Sequence, residues 1–544
     1  MNRSLLLFFV AAVLLTIKLG SSSYLESSEA RYAEISREMA LTNDWVTPRL
    51  MEIKHFHKPP LTYWVTAVAF KIFGVNGLSG KLLLILAALG TLWFTIQLCQ
   101  LLFPRSPATA TWSFFILLTS PLFLIQSRAL TTDIYLTFFT TGAIYFHWKN
   151  HLRKSTAANA AGVGLFLGLA FLTKGPIPFI FFLLPYFTYQ LTVAKRLKIS
   201  WRNGIVTLAI LLAVVLPWFI LMILRNPGLL NYFLVFQTVD RFASHVHHRG
   251  GPAYYYLGVL LVGMLFWFTA YFPAVFRQLK HWASSRRDTI RFLLLHYTLV
   301  PAIFFSFSGS KLPAYILPAL PFLAIYVSAW FTEDSSSRYS GIQWVNILLA
   351  LGLPLSLLLR MIPSLPPALE SHRILFYLLL LPGLFMIILV YKGRLKNWLT
   401  GLTYGGYNLL LFFIIVALLP YFEGETKNFE PIAKIINANW QEPACIASYH
   451  LRLPSLEFYT GKRVLHILHD RELQFETAES LRNIEPWLSE DPDKLARLFH
   501  SDSTCFAVIG RKDWQRYSSE HLDLAGLVDT LHTNSRFLLL SSKP

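Results

Sequence analysis

SEARYAEISREMALTNDWVTPRLMEIKHFHKPP, residues 28–60, sets Glu, Arg, Asp and Lys side chains directly behind an apolar N-terminal segment, in a chain that is mostly hydrophobic as far as residue 420. Ionisable groups at a bilayer edge are costly to desolvate, so a polar island between two apolar segments marks a functional site on a membrane protein.

The composition agrees. Of 544 residues, 54% are hydrophobic, 15% aromatic and only 14% charged, which lies outside the range of soluble domains and inside that of polytopic membrane proteins. The segment Leu5 to Ile17 follows Arg3, has no small-residue cleavage site leading into a soluble domain, and is followed by further apolar segments. It reads as a retained first helix and not as a signal peptide. The net charge of +18 does not imply nucleic acid, because the Lys and Arg fall in short clusters between apolar segments, where the positive-inside rule accounts for them.

Apolar segments of spanning length fall near residues 4–20, 80–102, 110–128, 133–148, 158–173, 176–193, 204–224, 253–276, 291–307, 313–331, 341–360, 373–391 and 398–419. About thirteen crossings put the two ends of the chain on opposite sides of the membrane. In this count Lys149/Arg153/Lys154, Lys195/Arg196/Lys198/Arg202, Arg277/Lys280/Arg286/Arg287 and Lys392/Arg394/Lys396 share one face, the cytoplasmic one. The other face receives the first loop, the Ala129 to Asp133 turn, Lys174-Gly175-Pro176, the Arg225 to Pro252 loop, Ser308 to Tyr315 and the C-terminal tail. Within the first loop, Glu29 to Ala40 and Leu61 to Phe73 read as helices lying along the interface.

From about Tyr421 the charge rises and long apolar runs stop. Strand-like runs at Cys445 to Tyr449, Arg463 to Ile467 and Cys505 to Ile509 alternate with helical stretches at Asn428 to Asn439 and Asp493 to Phe499, which predicts a small α/β domain. Of three cysteines, Cys99 lies in a span, while Cys445 and Cys505 lie in this domain either as a disulfide or as buried free thiols in neighbouring strands.

Several residues on the non-cytoplasmic face could carry chemistry. Asp133, after Arg128 and Thr131-Thr132, is either a helix N-cap or a functional carboxylate. Glu29, beside Arg31-Tyr32, is either a helix-dipole residue or a second carboxylate. Lys58, Lys174 and Lys311 each stand before or near a proline or glycine turn; with Arg241 and Arg249 they make a candidate phosphate-binding group, although snorkelling at helix ends explains single lysines. His245, His247 and His248 lack a carboxylate partner at helical spacing, and Tyr254-Tyr255-Tyr256 reads as an interfacial aromatic belt.

Glu-Ala-Arg-Tyr-Ala-Glu-Ile-Ser-Arg-Glu-Met at 29–39, Asp44-Trp45, Phe56-His-Lys58-Pro-Pro, Thr132-Asp133, Lys174-Gly-Pro, Arg241-Phe, His248-Arg-Gly-Gly-Pro and Ser310-Lys-Leu-Pro-Ala-Tyr-Ile-Leu-Pro, in this order, resemble the bacterial aminoarabinose lipid A transferase family. That family is related to the protein O-mannosyltransferases. Leu453-Pro-Ser-Leu-Glu-Phe-Tyr is similar to its outer domain. The resemblance implies a polytopic α-helical GT-C glycosyltransferase of the bacterial inner membrane, with its N-terminus cytoplasmic. The transmembrane domain would occupy residues 1–420 with a periplasmic loop at 21–79, and a periplasmic α/β domain residues 421–544. The implied reaction moves a sugar from polyprenyl (undecaprenyl) phosphate to lipid A or another envelope acceptor, among membrane lipids and without nucleic acid. Lys58, Arg241 and Tyr315 would hold the donor phosphate, Arg31 and Tyr32 would shape the cavity with Lys311 and Lys174 nearby, and Asp133 would be one of two functional carboxylates.

Three departures bear on that reading. The carboxylate usual before Glu29 is Ser28, so Glu29 or Asp44 stands in or Asp133 acts alone. The residues flanking Phe56 are His55 and His57, and Gln237-Thr238 stands where some members have a Glu-His pair associated with metal binding, which argues against a bound metal; the sequence establishes no cofactor and leaves a divalent metal open. A protein hydroxyl acceptor is the alternative within the class. A lipid-linked sugar transporter is the alternative outside it, but transporters concentrate ionisable groups near mid-membrane, whereas here they gather at one face. A catalytically inactive binder is the third alternative, through Ser28.

Overall fold

The computed structural model describes residues 3–20, 23–26, 28–192, 200–226, 229, 251–280, 289–333, 346–352, 355, 377–391, 397–426, 428–468 and 487–542. The chain packs as two compact units, one of Met1–Ile17 with Leu84–Leu418 and one of Lys18–Leu83 with Leu419–Pro544.

The first unit is helical. Among the described residues of the whole chain, five helices are long and apolar enough to cross a membrane: Ser79–Leu102, Ala157–Lys174, Trp201–Arg225, Pro313–Thr332 and Leu399–Leu418. Asp133–Leu152, Ile177–Thr192 and Thr289–Ser306 are helices at the expected places, so the polytopic reading holds. Two expected spans are broken. The segment at 110–128 is two helices, Pro107–Leu118 and Pro121–Gln126, because Ser120 precedes a proline and is extended, with ψ 122°, where a helix would need the αR region. The segment at 253–276 bends by 113° between Tyr255–Met264 and Phe266–Phe276, at Leu265 with φ 47°. The expected span at 341–360 lies largely outside the described residues.

Close helix packing in this unit depends on glycine. Ala157–Lys174 carries Gly164 and Gly168 one turn apart on the face against Trp201–Arg225. A Cβ at Gly164 would sit 2.4 Å from the Thr207 carbonyl oxygen and 2.9 Å from Ile210 Cβ. Small residues at this spacing let two backbones approach where lipid offers no hydrophobic drive.

The second unit contains a two-stranded hairpin, β1 (Arg49–Leu50) with β2 (Ile53–Lys54), and a six-stranded mixed sheet. The sheet strands are β3 (Ala444–Tyr449), β4 (Leu465–Ile467), β5 (Leu488–Ser489), β6 (Thr504–Gly510), β7 (Val528–Thr533) and β8 (Phe537–Ser542), in the order β5-β4-β3-β6-β8-β7. The four strands from β5 to β6 run parallel; β8 and β7 add antiparallel. Both faces are covered, as a sheet with a parallel core requires. Ala447, Tyr449, Cys505, Ala507 and Ile509 pack on one side with Leu495, Phe499 and Tyr517. Ile446, Phe506 and Val508 pack on the other with Phe429, Ile432, Ile436 and Leu456, the alternation that a two-residue side-chain period dictates. Cys445 and Cys505 face each other in register as free thiols, the second of the two readings open to the sequence.

Residues 18–83 pack in the same unit. Tyr24 N–H donates to the Tyr459 hydroxyl at 2.7 Å, Ser23 Oγ to Glu430 Oε2 at 2.7 Å, and Ser455 N–H to Glu26 Oε1 at 2.7 Å. The expected interfacial helices are present as Glu29–Thr42 and Leu61–Phe73, with Ile35, Met39, Leu50, Met51, Tyr63 and Ala67 forming a small core between them and the hairpin.

Candidate functional site

In the helical unit, Asp133 opens the helix Asp133–Leu152 and Lys174 closes the helix Ala157–Lys174. The two helices pack together, so the acid at one N-terminus meets the cation at the other's C-terminus, and each charge also suits its helix dipole. Gly175 ends the second helix with φ +67°, a conformation that favours glycine and turns the chain sharply after Lys174. Lys174 Nζ lies 2.5 Å from Asp133 Oδ1, both side chains about nine-tenths buried. The same ammonium stands 4.8 Å from the centroid of the Tyr315 ring, which the 3₁₀ segment Pro313–Ala319 carries against the Asp133 helix. Asp133, Lys174 and Tyr315 therefore form one cluster. Lys311 Nζ donates to the Ser308 carbonyl at 2.9 Å on the strand of chain leading into that segment.

In the second unit, several cationic side chains act on His55. Its imidazole is buried and held well below the usual histidine range, first by desolvation and then by the fields of His57, Arg452, Arg31 and Lys58. It is neutral at physiological pH. Three permanent cations, Arg31, Lys58 and Arg452, thus act on one point. Glu26 is the buried carboxyl beside them; desolvation raises it to about 7 against the pull of the Ser455 hydrogen bonds, Arg31 and Arg452. Tyr32 packs on Tyr63 with ring centroids 5.5 Å apart. Lys58 stands before Pro59-Pro60, whose fixed φ restricts the turn that presents it.

Glu29 is engaged. Its carboxylate faces Lys81 Nζ at 3.7 Å and accepts from Leu25 N–H at 3.3 Å, while Lys81 also donates to the Ser23 carbonyl. Arg241, Arg249, the histidines 245, 247 and 248, and Gln237-Thr238 lie outside the described residues.

Sequence reading missed Arg452 and Glu26. Arg452 is adjacent to the quoted 453–459 motif, and that adjacency was the available signal; Glu26 sits in a serine-rich stretch with nothing to single it out. It also passed over Glu34, Glu38 and Glu457, three buried carboxylates that come together only in the folded unit.

The family model described as dolichyl-phosphate-mannose-protein mannosyltransferase matches residues 3–233. The undecaprenyl phosphate-alpha-4-amino-4-deoxy-L-arabinose arabinosyl transferase 1 of Proteus mirabilis is 31% identical over 346 residues, covering 63% of this chain and 62% of that protein. The corresponding transferase of Yersinia enterocolitica is 32% identical over 349 residues, covering 63% and 61%. The chain thus spans about three fifths of the length of the curated relatives it matches. The crystal structure of ArnT from Cupriavidus metallidurans bound to undecaprenyl phosphate superposes with a TM-score of 0.83 at 22% identity, over 99% of both chains. The resemblance read from the motifs is borne out, and so is the GT-C fold with its C-terminal α/β region.

Proposed function

We propose that this chain is an inner-membrane glycosyltransferase that moves a sugar from a polyprenyl (undecaprenyl) phosphate to an acceptor on the periplasmic side, lipid A or a related envelope glycolipid. The observation that carries the reading is the group of three cationic side chains, Arg31, Lys58 and Arg452, that all act on one buried imidazole, His55. The leaving group in such a transfer is a lipid phosphate, which gains charge as the bond to the anomeric carbon breaks. Cations fixed at its oxygens stabilise that charge most where water is excluded. Arginine supplies a bidentate fork and lysine a point charge, both suited to phosphate. The relatives carrying undecaprenyl phosphate in their names, and the related structure with that lipid bound, support this choice of donor.

On this reading Lys58, Arg31 and Tyr32, with Arg452, hold the donor phosphate, and the motif resemblance assigns Arg241, Tyr315 and Lys311 to donor binding as well. Asp133 is the functional carboxylate, oriented by Lys174. The acceptor attacks the anomeric carbon from the face opposite the phosphate. A phosphate acceptor is already ionised at neutral pH and needs no strong base, which makes Ser28 tolerable. Glu29, through Lys81 and Leu25, fixes the start of the helix that carries Arg31 and Tyr32. The clusters of Lys and Arg between spans support a cytoplasmic N-terminus and a periplasmic C-terminal domain. Binding of a polyprenyl-phosphate sugar to purified protein tests the assignment: unchanged affinity in the Lys58→Ala variant would remove it.

A further inference from the structure

The carboxylates of Glu34, Glu38 and Glu457 lie buried in the second unit with one oxygen of each within 4.8 Å of the others. Glu34 and Glu38 are one turn apart on the helix Glu29–Thr42, and Glu457 comes from the helix Pro454–Thr460 packed against it. Glu34 takes a two-pronged hydrogen bond from Arg37, Nε to Oε2 at 2.7 Å and Nη2 to Oε1 at 2.6 Å. Glu38 accepts from the N–H groups of Met51 and Glu52, the two residues at the hairpin tip, which have φ 56° and 64°. Glu457 accepts from Val464 N–H at 3.1 Å. Three ionised carboxylates against one guanidinium leave two negative charges uncompensated in a buried place, a state too costly to persist. Two protons or one divalent cation would balance it.

An independent observation points to the cation. His466, on β4 and 1% exposed, has a ring nitrogen, Nε2, with no hydrogen-bond partner, and that nitrogen faces Glu457 Oε1 at 3.8 Å. Its other nitrogen, Nδ1, lies 2.7 Å from Ser448 Oγ, and Ser448 Oγ itself donates to the Leu451 carbonyl at 2.9 Å. With the hydroxyl proton spent on Leu451, Nδ1 is the donor to Ser448. Nε2 then faces a carboxylate oxygen at a distance too long for a hydrogen bond. A histidine whose second ring nitrogen donates to a fixed acceptor is the arrangement that orients a metal ligand.

We propose that Glu34, Glu38 and Glu457, with His466 Nε2 at their edge, bind one divalent transition cation of the zinc or manganese class. Three oxygens and an imidazole nitrogen are a donor set that suits either ion. The ion would tie the helix bearing Arg31 and Tyr32 to the Glu457 helix and β4, so it is a structural site and does not depend on the proposed reaction.

The test uses tag-free, full-length protein in detergent, stripped with EDTA and re-equilibrated separately with Zn²⁺, Mn²⁺ and Ca²⁺. Metal per polypeptide is read by elemental mass spectrometry. The inference predicts about one equivalent of zinc or manganese, and retention at least tenfold weaker in Glu457→Gln and in His466→Ala. Equal retention in wild type and both variants places the ion elsewhere and overturns the proposal. So does a cooperatively melting wild-type protein that binds none of the three ions, since the cluster then holds protons alone; that titration stands whether or not the variants fold.

Discussion

Lys174 Nζ lies 2.5 Å from Asp133 Oδ1, and this pair joins the ends of two apolar helices at a point that sequence alone marks only as two separate charged turns. Removing one partner strands the other. Lys174→Ala leaves a buried carboxylate without its cation, at a cost of about 3 kcal/mol or more, and is expected to lower the melting temperature and abolish transfer. Asp133→Asn with Lys174→Gln removes both charges and is expected to recover most of the stability without the activity. A double variant that melts as low as Lys174→Ala would show that the pair is not what holds the two helix ends.

The cationic group makes a graded prediction. Each hydrogen bond from a charged side chain to phosphate is worth roughly 1.5–3 kcal/mol, so Lys58→Ala and Arg452→Ala should each weaken polyprenyl-phosphate sugar binding by about tenfold or more. The Arg452 arm is the sharper test, because that residue was located only by the fold. Donor titrations at two salt concentrations check it, and an Arg452→Ala variant with wild-type affinity would take it out of the group.

Glu26 supplies a pH signature. Its folded pKa, about 7, stands above the ordinary value of 4.5. Between those two values the folded state therefore holds more protons than the unfolded one, and the contribution of Glu26 to stability falls as pH rises through that window, then stays level. Glutamine cannot ionise. Relative to wild type, the Glu26→Gln protein should gain melting temperature between pH 5 and pH 8. His55, whose shift acts in the opposite sense, is present in both proteins and cancels in the difference. A difference that is flat with pH contradicts the assignment.

The glycines of the helical unit separate close approach from mere helix weakening. Gly164→Ala drives a methyl onto the Thr207 carbonyl oxygen, which is backbone and has nowhere to move, and should destabilise the protein by about 1–3 kcal/mol. Gly204→Ala, on the neighbouring helix with nothing within 4 Å of the new Cβ, should be neutral or gain up to ~1 kcal/mol. Thermal melting in detergent reads both. Equal effects at the two sites would mean that Gly164 does not set the helix contact.

The helices and the α/β domain were legible because hydropathy and side-chain period are local properties. Ala444–Tyr449 and Thr504–Gly510 fall within a residue of the runs read at 445–449 and 505–509, since their alternating core faces are written into adjacent residues. The breaks at Ser120 and Leu265 were not read, because a bend costs no hydrophobicity. The paired functions were least legible. Asp133 and Lys174 are 41 residues apart, and Lys174, expected with the phosphate cations, meets this carboxylate. Glu34 and Glu457 are ordinary glutamates in sequence and acquire their chemistry only when two helices from distant parts of the chain pack.

The central claim is transfer from a lipid-linked donor, and mass spectrometry of envelope lipids from cells with and without this protein tests it most directly. The account predicts that the deletion strain accumulates a glycosylated polyprenyl phosphate while its acceptor, followed as lipid A, loses the matching sugar mass. Unchanged pools of both would contradict it.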